Sequence, residues 1–386
     1  MKTAPLGELI AAAQSRRAGG ADLPVLSMTM HEGLVDQSAK FKKRVASADT
    51  SDYKVVSRGQ LVVGFPIDEG VLDFQSTYPE GIVSPAYGVW DLKDETSTDR
   101  NYLRRFLRSP KALGYYKAKL RGSTARRRSL PASLFLELPV PYPSVDAQRR
   151  IAAILGQADS LREMRRKALS TLDSLEQAAF LESFGPPATW ASRWAMGTIG
   201  EMADDVQYGT ASKAGEDGAW PIIRMGNVTD SGRLDLTDLK WIDLSGSEAA
   251  RFTVRRGDLL FNRTNSREKV GKTCVIETDE PLAFAGYLVR VRLKPDHQPA
   301  FVNAYMTSSY GRALRFGMAK SAVNQANINA TEMRSIPIAL PPAALQKEFA
   351  EQVAKIRSER EKQQRGAAEL DDLFLSVQYR AFSGQL

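Results

Sequence analysis

Two histidines, His31 and His297, and one cysteine, Cys274, are all that the 386 residues offer as imidazole and thiol chemistry. They do not make the usual zinc set of His and Cys ligands, and His31 reads as a surface or turn residue rather than a base. Ser266-Arg267-Glu268-Lys269-Val270-Gly271-Lys272-Thr273 imitates a phosphate-binding loop, but serine replaces its first glycine and no clean strand-to-helix frame surrounds it. No Asn/Asp-Pro-Pro-aromatic signature of adenine methyl transfer occurs, nor a glycine-rich methyl-donor loop. The expectation is a chain with no catalytic residues, no metal and no cofactor of its own. What remains are guanidinium, ammonium and carboxamide groups, which bind rather than transform. Arg and Lys suit phosphates and guanine edges; Asn and Gln suit adenine edges.

These groups are unevenly spread. The net charge of +8 divides into +7 over residues 1–198 (28 basic, 21 acidic) and +1 over residues 199–386 (25 basic, 24 acidic). Arg100 to Arg128 contains eleven basic residues and no acidic one, a concentration of positive potential suited to a polyanion. A solvated helix face is the competing reading; Tyr115, Tyr116 and a Gly-Ser-Thr turn interleaved with the charge favour nucleic acid. In the first half the DNA-binding candidates are Lys42, Lys43, Arg44, Lys117, Lys119, Arg121, Arg126, Arg127 and Arg128. In the second they are Arg263, Asn265, Arg267, Lys269, Lys320, Asn324, Gln325 and Asn327, an amide-bearing set suited to base reading. The contrast predicts two different half-sites, the first held more by phosphate contacts and therefore more sensitive to salt.

The elements that must position these groups occur twice. Pro139 and Pro337, Gln148 and Gln346, Leu172 and Leu370, Leu175 and Leu373, and Phe184 and Phe382 are each 198 apart, as are Gly59 and Gly257 in SRGQL and RRGDL. LGEL at Leu6 matches IGEM at Ile199 with a shift of 193. A unit of about 200 residues is too long for a solenoid repeat and reads as two modules in tandem. Each opens with short β-like runs between Gly, Pro and Asp turns, followed by helix at Tyr102 to Lys119 and at Phe301 to Met318. Each closes with a long helix after a proline-rich turn, with Ser144 or Asp146 free to cap the first. The expected boundaries are a first head over 1–145, a long helix over 146–185, a linker over 186–198, a second head over 199–340 and a second long helix over 341–386.

In the first long helix Ile151, Ile154, Ala158, Leu161, Leu172 and Leu175 follow a spacing of three and four, broken at Arg165; in the second, Phe349, Val353, Ile356, Leu370 and Phe374 do so around polar Arg360 and Gln363. From Gln148 to Phe184 such a helix runs roughly 55 Å. Two rods with apolar stripes most economically bury them against each other, as an intramolecular antiparallel coiled coil with a head at either end. Two amphipathic helices, each packed on its own head, are the alternative. The expected fold class is therefore α+β, mixed heads with two long helices, internally duplicated and pseudo-two-fold. Two reading heads on a rigid spacer suit double-stranded DNA, whose grooves repeat about every 34 Å. A single cysteine and no run of membrane-spanning length point to a cytoplasmic protein with no membrane partner.

Leu138-Pro139-Val140-Pro141, Gln148 to Leu155 and Phe180 to Gly185 together resemble the spacer of type I restriction-modification specificity subunits, and Ile336 to Pro341 with Gln346, Phe349 and Phe382-Ser383-Gly384 is similar to a diverged second copy. RRGDLLFNRT at Arg255 and the run from Lys320 resemble end pieces of that family's target-recognition domains. The resemblance covers essentially the whole chain. It implies a non-catalytic subunit reading a bipartite, asymmetric site. It also implies two adenine methyltransferase (modification) subunits as partners, and restriction (helicase-nuclease) subunits joining them, with methyl donor and ATP bound by those partners. A DNA-binding adaptor or scaffold of another defence complex is the alternative.

Overall fold

The structure, a computed structural model, describes all residues except 1, 15, 31, 41–48, 121–129 and 323–324, and the side chains of 320–322. It divides into two compact units, residues 1–164 with 367–386, and residues 165–366.

In the first unit, Thr3–Pro5 pairs antiparallel with Pro139–Pro141, so the chain entering the head is stitched to the chain leaving it. A four-stranded antiparallel sheet follows in the order Ile10–Ala12, Gly88–Leu92, Leu61–Val63, Leu72–Phe74. Its apolar face is closed by the helix Arg100–Leu107, whose Tyr102, Leu103, Phe106 and Leu107 are buried.

The second unit repeats the plan. Met196–Thr198 pairs with Pro337–Ala339, and the four-stranded sheet has the order Ala203–Tyr208, Leu288–Leu293, Leu259–Asn262, Thr273–Val275. Gly59 and Gly257, the repeated glycines, turn the chain into matching strands at φ 96° and 88°, backbone that a side chain disfavours. The second unit also carries a small three-stranded sheet, Thr264–Asn265, Gln325–Asn327 and Lys320–Ala322. The helix expected over Tyr102 to Lys119 is two helices, Arg100–Leu107 and Pro110–Lys119, and its counterpart is Pro299–Thr307 and Ser309–Met318. Ser109 and Ser308 restart the chain as N-caps, accepting from Ala112 and Gly311.

The long helices run Val145–Phe184 and Ala343–Ser383, each about 60 Å. Ser144 caps the first, its hydroxyl accepting from the Ala147 amide at 3.4 Å. They pair antiparallel within each unit. In the first, Arg162 bonds Asp371 and lies 4.4 Å over the Phe374 ring. In the second, Arg165 meets Gln363, Asp173 meets Arg360 at 2.8 Å and Glu176 meets Arg357 at 3.2 Å. Arg165 and Gln363 are duplicates of each other by the 198-residue offset, and so are the pairs Arg162–Asp371 and Arg360–Asp173.

The first helix therefore turns a different face inward from the one its leucines suggest. Ile154, Leu161 and Leu175 lie exposed, at 37%, 51% and 45%, whereas Ile151, Leu155, Ala158, Arg162, Arg165, Leu169, Leu172 and Glu176 are the less exposed positions and keep an unbroken spacing of four and three. Long arginine stems cover apolar surface while their heads pair across the seam, so charge sits where a hydrophobic count expects leucine. On the second helix Phe349, Val353 and Phe374 are buried and Ile356 and Leu370 half-buried.

The ends of both helices also belong to the heads. Ile151, Ala152 and Leu155 join Phe374, Ala381 and Phe382 in the first core, with the Phe382 ring 5.2 Å from Phe106 and 5.6 Å from Tyr102. Phe180, Phe184 and Phe349 join Trp190, Phe301 and Tyr305 in the second.

Candidate nucleic-acid interface

In the second unit, the strand Leu259–Asn262 carries Arg263 out of the main sheet and into the small one. The Arg263 amide donates to the Tyr287 carbonyl at 3.0 Å and its carbonyl accepts from the Ile328 amide at 2.9 Å. Asn265 pairs in register with Ala326, and Lys320 with Asn327. Ala326 is buried while Gln325 and Asn327 on either side are exposed, the alternation of a strand with one wet face. The backbone thus brings Arg263, Asn265, Lys320, Gln325 and Asn327 onto one small sheet. Arg267 and Lys269 follow in the turn, both exposed, with the Arg267 guanidinium 4.3 Å over the Phe316 ring. Asn324 and the Lys320 side chain lie outside the described residues.

Beside this sheet opens a cleft of about 850 Å³ lined by Arg263, Asn265 and Lys269 together with Lys213, Arg224, Lys272 and Tyr287, against one acidic residue, Asp238. Sequence reasoning missed Lys213, Arg224 and Tyr287. Their signal is a pair of glycine-flanked tyrosines, Tyr208-Gly209-Thr210 and Ala285-Gly286-Tyr287, where two loops cross. Gly286 donates to the Thr210 carbonyl at 2.7 Å, and a Cβ on Gly209 would sit 2.3 Å from the Ala285 oxygen, so only glycine lets the backbones meet. The phosphate-loop imitation is used structurally: Lys272 is buried and paired with Asp230 at 2.7 Å.

The first unit presents its cations differently. Of the basic run, Arg100 pairs with Glu95, Arg104 with Asp73 at 2.5 Å, and Arg105 with Asp159 of the long helix, while Arg108 donates to the Met30 carbonyl at 2.6 Å. These four arginines hold the head together, so the polyanion reading of the run narrows. Lys117 and Lys119 are exposed on the helix Pro110–Lys119. Lys42, Lys43, Arg44, Arg121, Arg126, Arg127, Arg128 and His31 lie outside the described residues.

Of the groups with reactive potential, Cys274 is buried and His297 half-buried. Burial pushes the Cys274 thiol up to about 12, so it stays protonated at neutral pH. His297 is shifted down, first by burial, and lies 3.5 Å from the buried Gln346 amide. Among the described residues no group of three or more His, Cys, Asp and Glu side chains could hold a metal, and no helix is long and apolar enough to cross a membrane.

The chain thus repeats one plan, a mixed head followed by a long helix, and the second head gathers cations and amides beside its small sheet. In sequence the chain resembles type I restriction specificity subunits. It is 27% identical over 276 residues to the type I restriction enzyme EcoKI specificity subunit of Escherichia coli strain K12, covering 66% of this chain and 59% of that protein. It is 24% identical over 317 residues to the StySPI specificity subunit of Salmonella potsdam, covering 76% and 67%. The match thus spans about three fifths to two thirds of these relatives. No family model matches. In fold it is similar over 99% of its length to the type I restriction-modification S subunit from M. genitalium, at a TM-score of 0.58 and 12% identity. It is equally similar, over its whole length, to a chain of a type I restriction-modification system solved for its complex assembly and conformational transition, at 0.58 and 17%.

Proposed function

We propose that this chain is the DNA-specificity subunit of a type I restriction-modification complex. Each unit reads one half of a bipartite, asymmetric site, and the long helices set the distance between the halves and dock two adenine methyltransferase subunits. The observation that carries this is the duplication itself: one head plan built twice, each time on the paired ends of two continuous helices, but with different cations and amides on its surface. Repetition of the scaffold with divergence of the surface is what reading two unlike half-sites requires. The chain contributes recognition and no chemistry, so the target adenine, once out of the stack, enters a partner's pocket. The relatives' names and the solved assembly support restriction subunits as further partners. The function is exercised in the cytoplasm, where DNA, methyl donor and partners meet.

The test is methylation sequencing of DNA from a host expressing this chain with the adenine methyltransferase subunits proposed to dock on it, compared with a strain lacking only this chain. Loss of a bipartite adenine-methylated motif with the chain supports the reading. An unchanged pattern while the chain is expressed contradicts it and favours an adaptor.

A further inference from the structure

The basic side chains of the second unit's cleft are not equivalent. Arg224 is paired with Asp238 at 2.9 Å and Lys272 with Asp230 at 2.7 Å, so each of these charges already has a carboxylate partner. Lys213 and Lys269 are exposed on long rotatable stems. Arg263 is fixed. Its backbone is clamped on both sides, and its guanidinium lies 5.0 Å over the Tyr208 ring, whose hydroxyl accepts from the Ala330 amide at 3.0 Å. Its Nε is covered and bonds nothing, and among the described residues it forms no ion pair.

A phosphate contact asks for little of this, because a mobile ammonium serves a charge that tolerates many approach angles. A guanidinium held in one plane, with Nε covered, offers its two terminal nitrogens side by side. That fork matches two acceptors in a plane, and in the major groove guanine shows O6 and N7 together, whereas adenine pairs an acceptor with a donor. Resting on the specificity reading above, we propose that Arg263 is the second unit's reader of a guanine edge, positioned by Tyr208, while Lys213 and Lys269 meet phosphates.

The experiment uses the purified complex of this chain with its methyltransferase, and duplexes in which each base pair of the motif found by methylation sequencing is replaced in turn. The wild-type complex should lose roughly 5- to 150-fold in affinity when one particular G·C pair of one half-site is changed. Arg263→Ala should bind all four base pairs there alike while discriminating normally elsewhere. Arg263→Lys, which keeps the charge but not the fork, should keep a reduced preference at that pair, and Lys269→Ala should weaken all duplexes by one factor. Full discrimination at every position in Arg263→Ala, or equal weakening of all duplexes, overturns the assignment. If Arg263→Ala does not bind measurably, Arg263→Lys decides, and wild-type discrimination in it is equally contradictory. A wild-type complex with no sequence preference would instead overturn the specificity reading, and this assignment with it.

Discussion

At the residue scale, two buried amides explain the most conspicuous repeat. Gln148 accepts from the Asp99 amide at 2.9 Å and donates to the carbonyls of Ser97 and Pro143 at 3.1 and 3.0 Å. Gln346 accepts from the Gln298 amide at 3.0 Å and donates to the Pro341 carbonyl at 2.8 Å. In each unit one glutamine ties the start of a head helix to the start of a long helix. Gln148→Leu or Gln346→Leu leaves buried partners unpaired and should each cost about 2 kcal/mol, read as a lower urea midpoint; an unchanged midpoint contradicts this. The charged seam gives a pH prediction. Burial opposes the Asp173 charge, but hydrogen bonds from Arg233 and Arg360 outweigh it and hold the carboxyl below its usual range. A depressed folded value stabilises at neutral pH, and that stability is lost as pH falls below about 4. Asp173→Asn should therefore be less stable at pH 7 and lose less on acidification, whereas parallel curves would remove Asp173 from the acid response. The repeated glutamines were legible in the sequence as repeats but not as braces, because the head-helix backbone groups they meet lie 48 to 51 residues away along the chain.

At the scale of elements, the long helices were legible and their phase only partly so. The apolar spacing turns Ile154, Leu161 and Leu175 inward and takes Arg165 as a break, yet Arg162, Arg165 and Glu176 each find a partner across the seam. The core of the first head extends past residue 145: Ile151, Leu155, Phe374 and Phe382 complete it from both helices. A fragment ending at 145 should lack a cooperative thermal transition that residues 1–164 recover when 367–386 are supplied; cooperative unfolding of 1–145 alone would contradict this. Phe382→Ala in the full chain should cost about 3–5 kcal/mol, while Leu161→Ala, on the exposed face, should cost well under 1 kcal/mol.

For the whole molecule, net charge proved a coarse guide. The excess in the first half was visible, but Arg100, Arg104 and Arg105 are consumed by Glu95, Asp73 and Asp159, a pairing between residues up to 54 apart that a local count cannot see. Lys117→Ala and Lys119→Ala should each lower the salt slope of DNA binding by about 1, the share of one neutralised phosphate. Arg104→Ala should act on stability instead. The two-reader proposal makes its sharpest demand on distance. One heptad inserted between Arg166 and Lys167, with another between the equivalent Gln364 and Arg365, preserves the phase of the seam and lengthens it by about 10 Å, roughly three base pairs of duplex. The deciding measurement is the methylation motif of this variant beside that of the natural chain. The expected result is two unchanged half-sites separated by about three more base pairs; an unchanged gap, or altered half-sites, would contradict a ruler with two readers.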